Sequence, residues 1–580
     1  MLAENRIWVA NNDKGERVYL TPKLANRHGL VAGATGTGKT VTLKVMAESF
    51  SDMGVPVFLA DVKGDLSGIA DAGVDSPDMQ ARIERFGLAG AGFSYKGYPV
   101  TLWDLYGQKG IQLRTTISEM GPLLLARIME LNDLQSDILS IVFKIADDNS
   151  LLLIDTKDLK AMLNYVSENS KDLEAEYGKM SPQSIAAIIR AVVALEIAGG
   201  ETFFGETALN VADLFAIGEG GRGMINVLDS SSLIGNGKLY STFLLWLLSE
   251  LFECLPEVGD LDKPKMVFFF DEAHLLFKDA PKALVDKVEQ VVKLIRSKGV
   301  GVYFCTQNPK DIPDGVLAQL GNKVQHALHA YTPADQKAVK AAAESYRENP
   351  EFNTFETIMA LGTGEAVVSF LEESGVPGIV QKVSILPPQS RMAALDDSKR
   401  DSLIKGSMLY SKYAQTIDPD SAYEFLMRKG LEDQARAEEA AAAVAKAKEE
   451  EKAAAAAAKE EAKAAEAQKK AEERAQAQAA KEQERLAASQ AKAEAKAAEM
   501  QARAEQRKAE AEAKAAAKQA AADERRKKQA VKSVGNSVAG TVGREVGKEL
   551  TSGMGSFGKR LGGNVGASVG RGLFSTLFKL

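Results

Sequence analysis

Cysteine is nearly absent: two residues in 580, Cys254 and Cys305, each inside an apolar stretch and far from the other. That spacing offers neither a disulfide framework nor a zinc site, and it points to a reducing compartment. Long apolar runs are missing as well. No segment approaches the roughly 18 uninterrupted apolar residues of a membrane span, and the opening MLAENRIWVANNDKGE lacks a signal-peptide core, so a cytoplasmic protein is expected. The third absence is regional. Between Gly430 and Gly535 there is neither glycine nor proline, and alanine supplies 42 of the hundred residues 431–530, interleaved with Glu, Lys, Arg and Gln. This composition predicts one extended helix of roughly 150 Å. A coiled coil needs apolar residues along its seam, yet Val444, Leu486 and Met500 are almost the only large ones here. A solvated single helix or a coiled coil with a thin alanine seam remains.

Charge is unevenly spread. The last fifty residues carry seven Lys and Arg against two Glu, whereas the whole chain has a net charge of −7, so the body is acidic and the tail basic. An acidic body argues against a broad electrostatic footprint for nucleic acid, although a narrow positive ring lining a pore would not register in a net sum.

Residues 1–390 mix apolar runs with Gly and Pro punctuation, and VPVFLAD, GMINVLD, KMVFFFDE and GVGVYFCTQ read as buried parallel strands between helical patterns. Residues 111–215 are largely amphipathic helix and read as an inserted helical subdomain. A helical linker is expected over 391–430, the extended helix over 431–530 and a glycine-rich basic tail over 531–580. In that tail Gly558, Gly562, Gly566 and Gly570 recur every four residues, followed by Leu573, Phe574, Leu577 and Phe578. With Lys559, Arg560, Arg571 and Lys579 alongside, the pattern predicts a helix-packing or membrane-surface element.

The chemistry-bearing signal is Gly33-Ala34-Thr35-Gly36-Thr37-Gly38-Lys39-Thr40, a complete Walker A pattern between the apolar HGLVA and the helical VTLKVMAESF. Glycines let the backbone approach phosphate closely, and the helix N-terminus adds amide donors. Lys39 is expected at the β and γ phosphates of ATP, and Thr40 is expected to offer its hydroxyl to Mg²⁺. Five apolar residues then lead into Asp271 and Glu272, where Asp271 is the expected metal ligand and Glu272 the group that polarises the attacking water. His274 reads as a helix-start histidine packing locally, with a sensor as the alternative. Gln307, ending GVGVYFCTQ, is either a reporter on the γ-phosphate or a cap on the loop NPKD. Arg296 is either a solvated helix C-terminus or a finger into a neighbouring subunit's site. Leu66-Ser67-Gly68 and Asp155-Thr156-Lys157-Asp158 fail to complete an ABC-transporter signature and a guanine-reading motif, so adenine is the expected base.

Together GATGTGKT, LADVKGDLSG, FFFDEAH and LIRSKGVGVYFCTQNPKDIPDGVLAQLGNKV resemble the HerA/FtsK group of DNA-pumping ATPases, and most closely its bacterial HerA-like family. GIQLRTTISEMGPLLLARIMELNDLQSDIL is similar to that family's helical insert. The resemblance implies an α/β fold, a RecA-like P-loop NTPase with a largely parallel sheet. It also implies ATP hydrolysis, a hexameric ring around double-stranded DNA, Arg296 acting in trans, and Gln307 as the strand-end glutamine. Two rivals stand beside this reading: an ATPase that remodels or exports protein at a membrane, and a nucleotide-gated scaffold.

Overall fold

The computed structural model describes residues 1–487 except 234–236, 260 and 279–281. Among these residues thirteen strands form one sheet: β1 (Leu2–Ala3), β2 (Arg6–Asn12), β3 (Arg17–Leu20), β4 (Gly29–Ala32), β5 (Val57–Asp61), β6 (Val100–Asp104), β7 (Ile111–Gln112), β8 (Ile225–Asp229), β9 (Met266–Phe270), β10 (Val300–Thr306), β11 (Asn322–Gln325), β12 (Glu365–Ser369) and β13 (Gln381–Ile385). Their spatial order is β1-β2-β13-β12-β11-β4-β10-β9-β5-β8-β6-β7, with β3 paired to β2.

The run from β11 to β7 is parallel throughout, so eight carboxyl ends share one edge. Every residue of β4, β5, β8, β9 and β10 is buried, as strands covered on both faces require. Phe58 stacks on Phe268 at 5.1 Å between ring centroids and Phe270 on Phe304 at 5.7 Å, tying β5, β9 and β10 together. Each such ring contributes about 1.5–3 kcal/mol by leaving water. Beyond β11 the pairing becomes antiparallel, through β12 and β13 to the β1–β3 strands.

Between β7 and β8 lie the helices Ile117–Ile128, Asp133–Asp148, Thr156–Glu168 and Pro182–Leu195. Reciprocal caps start the first two, Thr116 with Glu119 and Asn132 with Gln135. The segment after β13 packs back on the sheet: Tyr413 is fully buried, meets the Trp103 ring edge-on at 5.5 Å, and its carbonyl accepts from Arg114 Nη1 at 2.9 Å. Residues 1–168 and 177–424 make up this unit.

A second unit comprises residues 169–176 and the chain from Phe425 on. Its main feature is the part of the helix Ala422–Ala487 from Phe425 on, exposed along nearly all its described length, with i,i+4 ion pairs such as Glu432–Arg436 and Glu466–Lys470. The expected continuation of this helix to 530, and the tail 531–580 with its four-residue glycine spacing and membrane-surface reading, lie outside the described residues. No helix among the described residues is long and apolar enough to cross a membrane.

Candidate functional site

The parallel edge carries the site. Between β4 and the helix Lys39–Asp52 the chain forms the glycine loop, in which Thr35 and Gly36 are exposed while Thr37 and Lys39 are buried and Ala34 and Thr40 are half-buried. Backbone bonds to both neighbouring strands hold it: Gly33 N donates to Thr306 O at 3.2 Å and Ala34 N to Ala327 O at 2.8 Å. Gly33 has φ +154, and a Cβ there would lie 2.5 Å from the Cβ of His326, so no side chain fits. Lys39 Nζ donates to the carbonyls of Gly33 and Ala34 at 2.7 and 3.0 Å. Burial lowers its pKa and Lys63 lowers it further, against the pull of Glu272 and Asp271.

One flank of the loop, built by β10, β9 and β5, is charged. Asp271 and Glu272 leave β9 at its carboxyl end, where open α/β sheets bind ligands. Ala273 N donates to Cys305 O at 2.8 Å, and Tyr240 OH donates to Asp271 O at 3.0 Å. Together they fix this turn, in which Glu272 takes φ +50, a conformation that costs a side-chain-bearing residue about 1–2 kcal/mol. Its carboxylate pairs with Lys63 Nζ at 2.9 Å and accepts from Gln307 Nε2 at 3.2 and 3.3 Å on its two oxygens, and His274 Nδ1 lies 3.2 Å away. Burial raises the Glu272 pKa, but Lys63, Gln307 and His274 outweigh it, so the net shift is downward and the group stays ionised. Asp271 shifts the other way, raised by burial and by Glu272 against the influence of Lys63.

Lys63 is held by the turn that follows β5. Asp61 Oδ1 accepts from Gly64 N at 2.7 Å and Oδ2 from Leu66 N at 2.8 Å, the side-chain turn that Asp characteristically closes. Burial, with Asp65 and Asp229 nearby, raises the Asp61 pKa to about 7.

The other flank, from β11 and β12, is neutral. His326 is fully buried; its Nδ1 lies 2.9 Å from Glu365 O and its Nε2 2.9 Å from Thr42 Oγ1. A carbonyl only accepts, so Nδ1 carries the proton and the Thr42 hydroxyl donates to Nε2. Burial is the largest influence lowering the His326 pKa, to about 4. Gly364 N donates to Thr37 O at 2.9 Å, so the turn before β12 braces the loop directly.

Lys39, Asp271, Glu272 and Gln307 thus meet on one edge, and Gln307 touches Glu272. The loop NPKD is capped instead by Asn308, whose Oδ1 accepts from Lys310 N at 3.1 Å. His274 is likewise in contact with Glu272. Arg296 stands apart: it opens the turn Arg296–Lys298 before β10, while Gln307 follows β10, a separation of roughly 20 Å of strand. The sequence motifs assign no role to two residues of the site: Lys63, which lies within LADVKGDLSG, and His326, which lies in none of them. Lys63 does carry a signal, because it lies just past the carboxyl end of a buried strand, where such sites gather.

The donor set fits a nucleoside triphosphate with Mg²⁺: loop amides and a buried ammonium for phosphate, and one hydroxyl and one carboxylate for the cation. No group of three or more His, Cys, Asp or Glu that could cage a metal occurs among the described residues. Mg²⁺ takes one or two protein ligands together with substrate phosphates.

The family described as Helicase HerA-like C-terminal matches residues 6–491. The chain is 31% identical over 167 residues to the DNA double-strand break repair helicase HerA of Sulfurisphaera tokodaii, covering 28% of this chain and 31% of that protein. It is 22% identical over 369 residues to the DNA import protein CedB of Sulfolobus acidocaldarius, covering 62% and 53%. Each alignment thus spans well under two thirds of the relative's own length. VirB4 of Thermoanaerobacter pseudethanolicus superposes with a TM-score of 0.44 at 14% identity, over 65% of this chain and 96% of that one. With the Walker A loop between β4 and its helix, and the family match running across residues 6–491, the chain belongs to the helicase HerA-like C-terminal family of P-loop NTPases.

Proposed function

We propose that the protein is an ATP hydrolase of the HerA/FtsK type, assembled as a hexameric ring, that moves double-stranded DNA. The observation that carries hydrolysis is the ionised Glu272, held by Lys63, Gln307 and His274 beside the glycine loop. Lys39 binds the β and γ phosphates. Glu272 orients water toward the γ-phosphorus, and Gln307, in contact with Glu272, couples that carboxylate to the end of β10. Thr40 and Asp271 are the residues that would hold Mg²⁺, which when bound would supply charge neutralisation on the phosphates.

The DNA substrate is supported by relatives described as a DNA repair helicase and a DNA import protein. Arg296, at the opposite end of β10 from Gln307, serves a neighbouring subunit in this reading. Phosphate release with and without duplex DNA tests the whole: stimulation by DNA is expected, and an unchanged rate removes the DNA motor. Mixing Arg296→Ala with Glu272→Gln protein tests the ring. Each is inactive alone, and activity returns in mixtures where an intact Arg296 meets an intact Glu272; absence of any recovery removes the action in trans.

A further inference from the structure

We infer that Arg82, with the glycine turn Gly362–Gly364, forms the nucleoside end of the nucleotide site. This rests on the nucleotide-site reading above and extends it to the half of the ligand that the Walker motifs leave unassigned.

Sheet order sets the direction of the ligand. Glu272 and Gln307, which face the γ-phosphate, lie on the β10 and β9 side of the glycine loop, so sugar and base extend toward β11 and β12. On that side Gly364 touches the loop: its N donates to Thr37 O at 2.9 Å, and a Cβ on Gly38 would lie 3.3 Å from Gly364 Cα. Arg82 lies against the same turn. A Cβ on Gly364 would lie 2.9 Å from Arg82 Nη2 and 3.1 Å from Nη1, and Gly364 has φ +80, so a glycine here admits the guanidinium.

The helix that carries Arg82 is fixed in place, and the arginine's charge is not neutralised. Its helix, Pro77–Arg85, is capped by Ser76, whose Oγ accepts from Met79 N. Ile83, Phe86 and Leu88 pack with Trp8, Leu386 and Val45, and also with Val41, one residue past Thr40. The neighbouring Arg85 donates to Ser384 Oγ at 2.8 Å. Arg82 itself, half-buried, has no carboxylate partner among the described residues. A planar cation held beside the phosphate loop and lacking an acidic partner suits the face of a purine and its ribose oxygens. Thr363, exposed at the tip of the same turn, adds a hydroxyl on that side.

The test is calorimetric titration of the full chain with Mg²⁺ and either ADP or inorganic pyrophosphate, ligands that share the phosphates but not the nucleoside. Arg82→Ala should weaken ADP roughly tenfold and leave pyrophosphate unchanged, and Arg82→Lys, which keeps charge but loses the plane, should recover only part of the loss. Equal weakening of both ligands would place Arg82 on the phosphates and overturn the inference, as would no effect on either. Lys39→Ala serves as the reference, since it should lose both. If the unaltered protein binds neither ligand, the nucleotide site itself falls, an outcome distinct from the failure of Arg82 alone. A melting temperature unchanged by Arg82→Ala separates these outcomes from misfolding.

Discussion

The two flanks of the glycine loop differ in kind. Toward β10, β9 and β5 stand charged side chains, Lys63, Asp271 and Glu272, with Gln307 and His274 closing on the same carboxylate. Toward β11 and β12 the contacts are backbone amides, a turn glycine and a histidine that burial keeps neutral. Chemistry on a phosphoryl group needs charge that develops its effect in the transition state, whereas a loop that must hold its shape is best braced by satisfied neutral groups. One flank therefore reacts and the other positions. Substitutions should separate accordingly, with turnover failing on the first and stability on the second.

The sharpest break is Glu272→Gln. It keeps the shape but removes the negative charge and turns one acceptor oxygen into a donor, so turnover should fall about a thousandfold with ADP affinity preserved. Steady-state phosphate release and calorimetry measure the two quantities separately. Normal turnover in this protein would empty the reactive flank of its central residue.

The neutral flank should reveal itself through pH. His326 titrates near 6.5 in an unfolded chain and at about 4 in the fold, so between these values the unfolded state binds the extra proton. Its contribution is complete above pH 6.5 and is lost as pH falls toward 4, a change of roughly 3 kcal/mol. Denaturant titrations at pH 7 and pH 5 should show a steeper loss for the unaltered protein than for His326→Asn. Identical slopes would mean that this histidine is not held neutral by the fold.

Lys63→Met asks whether the charge beside Glu272 matters to the reaction. The loss of one hydrogen bond to a charged group should lower kcat roughly tenfold. Because the ion pair of Lys63 is with Glu272, KM should stay within about twofold. A rise in KM with kcat intact would move Lys63 from the reactive flank to ligand binding.

These flanks are not equally visible in sequence. The reactive flank grows from β4, β5, β9 and β10, whose nearly uniform apolar runs end in polar residues, so Lys39, Asp271, Glu272 and Gln307 stand out in the linear chain. Lys63 does not, because its meeting with Glu272 depends on β5 and β9 being neighbours in the sheet although more than 200 residues separate them. The neutral flank belongs to β11 and β12, four and five residues long like β4, β5 and β9 but mixed in sequence, and NKVQ and EAVVS give a weak periodic signal. The antiparallel strands β1–β3 and β13 are hidden for the same reason. Arg82 sits on a helix whose charges look like an ordinary solvated face, and only its approach to Gly364 distinguishes it.

The smallest expected effect isolates the brace from the ligand. Thr42 is fully buried in the loop's helix, and its hydroxyl serves His326 Nε2 at 2.9 Å, with Gly38 O at 3.4 Å as a weaker partner. Thr42→Val keeps the branched shape and removes the hydroxyl, leaving a buried ring nitrogen without a donor. That should cost about 1 kcal/mol of stability. Since the Thr42 hydroxyl and the His326 ring are spent on each other and on Glu365 O, ADP affinity should change less than about twofold, and kcat should follow it. Thr42→Ser restores the donor and should recover most of the stability, which separates the hydrogen bond from packing. Denaturant midpoints and ADP titrations on the three proteins give both readings. A collapse of ADP affinity in Thr42→Val, with stability intact, would reverse the assignment, placing the brace inside the binding site and erasing the distinction between the flanks.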